Sequence, residues 1–155
     1  PKIIYAGNRD FSGLSRNKIF WRSTDGGRTW SSLPGDTFNV GYFKRDLPRY
    51  YCLNTIAVDP RTPGRVYVGL VDDGRDYTMG GGVWYSDDYG ETWDIFDREG
   101  LACFGITRLI VDPVDSSRIY AATAGTGIWR YGPDPLQLTA VPARGTVRGT
   151  FPRPP

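Results

Sequence analysis

Histidine is absent from this 155-residue sequence. That absence removes His-based catalytic triads and the usual imidazole metal sites. Methionine occurs once and cysteine twice. Cys52 and Cys103 fit two buried thiols or one disulfide, and two cysteines leave the redox compartment open. No apolar run approaches the roughly 18 residues of a membrane-spanning helix, so no span is expected. The 19 basic and 17 acidic residues are interspersed, giving a net charge of +2. No basic run supplies the footprint of a nucleic-acid binder, so nucleic acid is not an expected partner. No convincing helical period is present. The start, Pro1-Lys2-Ile3, has neither Met nor a signal-peptide profile, and the chain is expected to have been cut or processed there.

Glycine (20), proline (12) and aromatic side chains (5 Trp, 10 Tyr, 7 Phe) are abundant. They describe tight turns joining short aromatic-rich strands, an all-β composition in one domain's worth of chain. The chain also repeats itself. Ser23-Thr24-Asp25-Gly26-Gly27-Arg28-Thr29-Trp30 returns as Ser86-Asp87-Asp88-Tyr89-Gly90-Glu91-Thr92-Trp93. Ile56-Ala57-Val58-Asp59-Pro60 followed by Arg65-Val66-Tyr67-Val68 returns as Ile110-Val111-Asp112-Pro113 followed by Arg118-Ile119-Tyr120-Ala121. Gly82-Val83-Trp84-Tyr85 returns as Gly127-Ile128-Trp129-Arg130. Self-similarity at tens of residues marks solenoids, propellers or arrays.

Each unit reads as four strands, a to d. The middle unit is complete, with strands at Thr55, Val66, Val83 and Thr92. The first lacks its a strand, and the third has no clear d strand, for which Gln137-Leu138-Thr139-Ala140-Val141 is one candidate source. In the shared turn, Asp25 and Asp88 accept backbone N–H groups of their own loop. Gly27 and Gly90 supply conformations that other residues resist, and Trp30 and Trp93 bury a large ring at the next strand.

Ser23, Asp25, Gly27, Thr29 and Trp30, and again Ser86, Asp88, Gly90, Thr92 and Trp93, resemble the Asp-box or BNR repeat. Such repeats close the turn between third and fourth blade strands in sialidases, sortilin-type receptors and xyloglucan-hydrolysing glycoside hydrolases. With the Val-Asp-Pro and Arg-Val-Tyr-Val-Gly signatures, the resemblance covers about residues 1–131 and implies a β-propeller. The expected fold is about two and a half four-stranded blades of a larger propeller, since a closed ring needs about 4 to 8 blades. Residues 132–155 are expected to form an irregular Pro-rich tail or linker. The resemblance implies a structural role for the boxes and no catalytic residue.

Long loops are where sites usually lie. The b–c and d–a connections are long and share one face. On it, Tyr42, Phe43, Arg45, Asp46, Arg49, Tyr50 and Tyr51 suit sugar stacking or a protein hot spot, or pack beneath their own loop. Asp73, Asp76 and Tyr77 belong to a second acidic loop whose spacing does not match an EF-hand, and no metal or other cofactor is expected. A glycosidase needs two carboxyl groups about 5 to 9.5 Å apart, and nothing in the spacing of Asp46, Asp73, Asp76 and Glu99 selects a pair. Cys52 and Cys103 occupy equivalent positions before adjacent a strands, where a disulfide could join two blades.

The resulting expectation is a non-catalytic binding or structural scaffold at the cell surface or outside the cell, with a glycan or protein ligand. The rivals are the closing blades of a glycoside hydrolase, xyloglucanase-like or sialidase-like, and a structural subunit joined through open blade edges. Its expected partners are the rest of a longer propeller or other subunits.

Overall fold

The computed structural model describes residues 3–7, 20–33, 51–72, 81–96, 105–132, 137–140 and 147–150. Among these residues all regular structure is β, and no helix is long and apolar enough to cross a membrane. Three antiparallel sheets follow one another along the chain. The first holds β1 (Ile4–Gly7), β2 (Phe20–Ser23) and β3 (Ser31–Ser32). The second holds β4 (Tyr51–Val58), β5 (Val66–Asp72), β6 (Val83–Ser86) and β7 (Asp94–Ile95). The third runs β8 (Ile106–Val111), β9 (Ile119–Thr123), β10 (Gly127–Tyr131), β11 (Gln137–Ala140) and β12 (Val147–Thr150) in spatial as well as chain order.

Strand alternation makes the second sheet apolar on both faces, because successive side chains point to opposite sides. Val66, Val68 and Leu70 of β5 meet Phe20 and Leu33 of the first sheet in one buried cluster with Leu53, Trp84, Trp93 and Ile95. Tyr67, between Val66 and Val68, enters the other cluster with Ala57 and Val83, against Ile106, Leu109, Val111, Ile119 and Ala121 of the third sheet. Each fully buried apolar side chain contributes about 1.5–3 kcal/mol, whereas an exposed ion pair contributes about 0–1 kcal/mol. The stack is therefore held by its apolar faces rather than by bridges between them.

The innermost strands come closest. A β-carbon on Gly69 would stand 2.5 Å from Ile106 Cγ2 and 2.6 Å from Thr55 Cγ2, so only glycine lets β8 approach here. The same region is stitched by polar contacts: Asn54 Nδ2 donates to the carbonyls of Ile106 (2.9 Å) and Thr107 (3.1 Å), and the Leu109 amide donates to Thr55 Oγ1 (3.1 Å). Register irregularities at Leu53/Thr55 and Ile106/Arg108 fall at matching places in the two sheets.

Three sequence expectations change. The segment expected to be an irregular tail carries β11 and β12: β11 pairs with β10 as the fourth strand of the third sheet, the place offered to residues 137–141 from sequence, and β12 is added beyond it. β4 begins at Tyr51 rather than Thr55, because its ladder with β5 continues past the irregularity to Asp72. Trp30 does not bury its ring: it is 40% exposed, whereas Trp93 at the matching place is 9% exposed.

Candidate functional site

The connections β2–β3, β4–β5, β6–β7 and β8–β9 lie at one end of the stack, and their geometry is dictated by short polar side chains. At the first repeated turn, Asp25 Oδ1 accepts the amides of Arg28 and Thr29, both at 2.9 Å, and Oδ2 accepts the Thr29 hydroxyl at 2.7 Å. Ser23 donates to Asp25 (2.8 Å) and accepts the Gly27 amide (2.8 Å). The second turn repeats this arrangement. Asp88 accepts the Thr92 amide (2.8 Å), the Thr92 hydroxyl (2.6 Å) and the Ser86 hydroxyl (2.7 Å). Gly27 and Gly90 both adopt φ +94°, a region open to glycine. The indole N–H of Trp30 donates to the Gly27 carbonyl, and that of Trp93 to the Gly90 carbonyl.

These contacts fix the ionisation of both carboxyl groups. Hydrogen bonds from the Thr29 amide and hydroxyl and from Ser23 lower Asp25 to about 2. Burial opposes the charge on Asp88, but hydrogen bonds from Thr92 and Ser86 outweigh it and bring that group to about 2 as well. Both are permanently anionic at neutral pH and saturated with intraturn donors, which suits holding a turn rather than moving a proton.

The Val-Asp-Pro repeats are capped in the same spirit. Asp59 Oδ1 accepts the amides of Arg61 (2.8 Å) and Thr62 (3.2 Å), and Asp112 Oδ1 accepts those of Val114 (2.8 Å) and Asp115 (3.1 Å). Each aspartate thereby mimics a backbone turn. The remaining carboxylates with described side chains are also engaged: Asp87 with Arg65, Glu91 with Arg22, Asp115 with Ser117 and Arg118, and Asp94 with the Ile95 amide. Among the described residues no group of three or more His, Cys, Asp or Glu could hold a metal ion.

A groove that the sequence did not signal opens at this turn-bearing end, between the second and third sheets. It has a volume of about 400 Å³ and is lined by Arg65, Tyr67, Tyr85, Phe96, Ser116, Ser117, Ile119 and Tyr131. The rings pack edge to face: Tyr67 and Phe96 are 5.4 Å apart, and Phe96 and Tyr131 are 4.6 Å apart. The Arg65 guanidinium clasps Asp87 through two hydrogen bonds and lies 6.0 Å from the Tyr85 ring centre. Burial raises the Tyr67 hydroxyl above its ordinary range despite the nearby Arg65, so it stays a neutral hydroxyl. Tyr67, Tyr85 and Tyr131 come from β5, β6 and β10 and Phe96 from the segment after β7, which is why no local motif announced the groove.

The loop residues selected from sequence fall mostly outside the described residues. Tyr42, Phe43, Arg45, Asp46, Arg49, Tyr50, Asp73, Asp76 and Tyr77 lie there, as does Cys103 with the candidate disulfide. Tyr51 and Cys52 belong to β4, where their backbones pair with Asp72 and Val71.

No family model matches the chain. It is 30% identical, over an alignment of 155 positions, to xyloglucanase Xgh74A of Acetivibrio thermocellus; the match covers 88% of this chain and 18% of that protein. It is 34% identical over 106 positions to a xyloglucanase of Paenibacillus sp., covering 61% of this chain and 10% of the relative. The crystal structure of the GH74 xyloglucanase from Xanthomonas campestris superposes with a TM-score of 0.51 at 22% identity, covering 83% of this chain and 17% of that one. The chain is therefore homologous to part of a GH74 xyloglucanase, a β-propeller enzyme, and its three sheets have a counterpart in that fold. It spans less than a fifth of the length of these relatives.

Proposed function

We propose that this chain is a segment of the β-propeller of a xyloglucan-cleaving glycoside hydrolase, and that its described sheets act as scaffold within that enzyme. The first part rests on 30% identity maintained over 88% of the chain. The second rests on the carboxylates: each one with a described side chain is already held by turn amides, hydroxyls or an arginine, whereas a glycosidase needs an acid and a base free to face the glycosidic bond. The aromatic and charged residues of segments 42–51 and 73–77 complete the proposal as glycan contacts. A polymeric substrate places the enzyme outside the cell or on its surface.

Two assays separate the parts. Incubating the full-length protein that contains this chain with xyloglucan should release new reducing ends, and a folded full-length protein that leaves the polymer intact overturns the hydrolase assignment. The 155-residue chain alone should release none. Hydrolysis by the isolated chain would overturn the scaffold assignment while sustaining the other.

A further inference from the structure

The groove between the second and third sheets has a matching place between the first and second, and the two junctions are built differently. The repeats align Tyr85 with Arg22, Phe96 with Leu33 and Tyr131 with Ser86. At the first junction Arg22 reaches across to the repeated turn of the second sheet, donating to the Tyr89 carbonyl (2.8 Å) and to Glu91 (2.6 Å). Leu33 is buried beside Gly90, where a β-carbon would stand 2.7 Å from its Cδ1. Ser86 is buried too, its hydroxyl donated to Asp88. That junction is closed by the turn. At the second junction the Ser-x-Asp-x-Gly-x-Thr-Trp motif does not recur, and Trp129-Arg130 runs on into Tyr131-Gly132-Pro133. Three aromatic rings stand there in place of an arginine, a leucine and a serine, and Tyr131 is 43% exposed.

The turn beside the rings differs in the same sense. Gly64 of the β4–β5 turn is roofed by the repeated turn of its own sheet: its carbonyl accepts the Tyr89 amide at 3.0 Å, and a β-carbon there would stand 2.6 Å from the Asp87 carbonyl oxygen. Ser117 holds the matching place in the β8–β9 turn and lines the groove instead. Its hydroxyl donates to Asp115 (2.6 Å) and keeps oxygen lone pairs with which to accept. Among the described lining residues the charge of Arg65 is matched by Asp87. Apolar rings beside hydroxyl groups, with the charge cancelled, suit a neutral ligand that is apolar on its faces and hydroxylated at its rim. A β-linked glucose unit has that form, with C–H bonds on both ring faces and equatorial hydroxyls around the edge. We propose that the groove is a second, non-catalytic glycan site that takes a short stretch of a neutral β-glucan chain. Its volume of about 400 Å³ lies near the low end of the about 300–1,000 Å³ of small-molecule sites, which limits the stretch it can hold. Segments 42–51 and 73–77 adjoin the start of β4 and the end of β5, at the other end of the strands, so the groove is a separate contact. The choice of glucan rests on the hydrolase reading, whereas the preference for a neutral saccharide rests on the groove's own side chains.

Affinity electrophoresis of the full-length protein that contains this chain, in cold native gels with and without soluble xyloglucan, tests it. Ser117→Trp fills the groove from an exposed turn position, and Tyr131→Ala removes its exposed ring. Each should weaken retardation by the polymer about 3- to 10-fold. Val114→Ala, in the same turn but outside the groove lining, should migrate like the parent. Ser117→Trp should also melt like the parent and cut short soluble xyloglucan fragments at the parental rate, which keeps the test sound if Tyr131→Ala unfolds. Parental retardation of a folded Ser117→Trp variant overturns the proposal. So does a loss of retardation matched by an equal loss of cutting on short fragments, since that reports damage elsewhere. A protein that cuts no xyloglucan yet loses retardation on Ser117→Trp sustains the groove and overturns the hydrolase reading; cutting with undiminished retardation does the reverse.

Discussion

The two repeated turns share their hydrogen bonds and differ in their surroundings. Ser, Asp, Thr and Gly hold both loops with matching partners: the Ser–Asp hydroxyl bond is 2.8 and 2.7 Å, the Gly amide bond 2.8 and 2.8 Å, and the Thr amide bond 2.9 and 2.8 Å in the first and second turns. Among the described residues, only the second turn has a sheet packed over it. There the Phe20 ring meets Trp93 edge on at 5.3 Å, and Leu33 closes over Gly90. A local polar motif is thus self-sufficient, while the tryptophan it projects gains burial only from a neighbour. The left-handed position before the second glycine sharpens the contrast: the first turn has Gly26 at φ +77°, the second Tyr89 at φ +64°. Tyr89 is held there by its amide, which donates to Gly64 O at 3.0 Å, and by its carbonyl, which accepts Arg22 Nη1 at 2.8 Å from the first sheet.

Truncating the two tryptophans should break the symmetry most. Trp93→Ala should lower unfolding free energy by about 3–5 kcal/mol and Trp30→Ala by less than half as much, measured by urea titration on dilute chain. Gly90→Ala comes next, at about 2–3 kcal/mol, because positive φ and the clash with Leu33 act together. Gly27→Ala should cost about 1 kcal/mol, since only the backbone objects. Asp88→Ala should cost about 1 kcal/mol after allowing for solvent access, and Asp25→Ala should act in the same direction.

Acid should affect both turns alike. Their folded pKa values of about 2 lie below the ordinary carboxylate value near 3.8. A carboxyl depressed in this way contributes stability above its unfolded pKa and loses that contribution as pH falls through the folded one. Melting temperature should therefore decline between about pH 4 and pH 2, and the Asp25→Asn, Asp88→Asn double variant should show a shallower decline. The smallest effect belongs to Glu91→Gln: its ion pair with Arg22 spans the two sheets, but the Glu91 side chain is largely solvated, so the change should stay below about 1 kcal/mol.

Much of the sheet arrangement was legible because it is written in repeats. Ser-x-Asp-x-Gly-x-Thr-Trp located the β2–β3 and β6–β7 turns, and the Arg65-Val66-Tyr67-Val68 repeat located the strand that the structure buries on both faces. What the sequence left open was decided by pairing across distance. β11 was legible only as one candidate for the missing fourth strand and β12 not at all, because both form as successive additions to the edge left by β10. Trp30 and Trp93 close the same Ser-x-Asp-x-Gly-x-Thr-Trp motif, so the motif could not assign them different burial. The aromatic groove was hidden for a related reason: its rings come from β5, β6, β10 and the segment after β7, each of which reads by itself as ordinary strand packing. The aspartates were easier, because an Asx turn is closed within four residues and needs nothing from elsewhere.

The dependence of tryptophan burial on a neighbouring sheet can be observed directly by 19F NMR of chain labelled with 5-fluorotryptophan, each resonance assigned by a single Trp→Phe substitution. Trp93 should be shielded from solvent and Trp30 open. Equal solvent exposure of the two indoles would contradict the stacked arrangement.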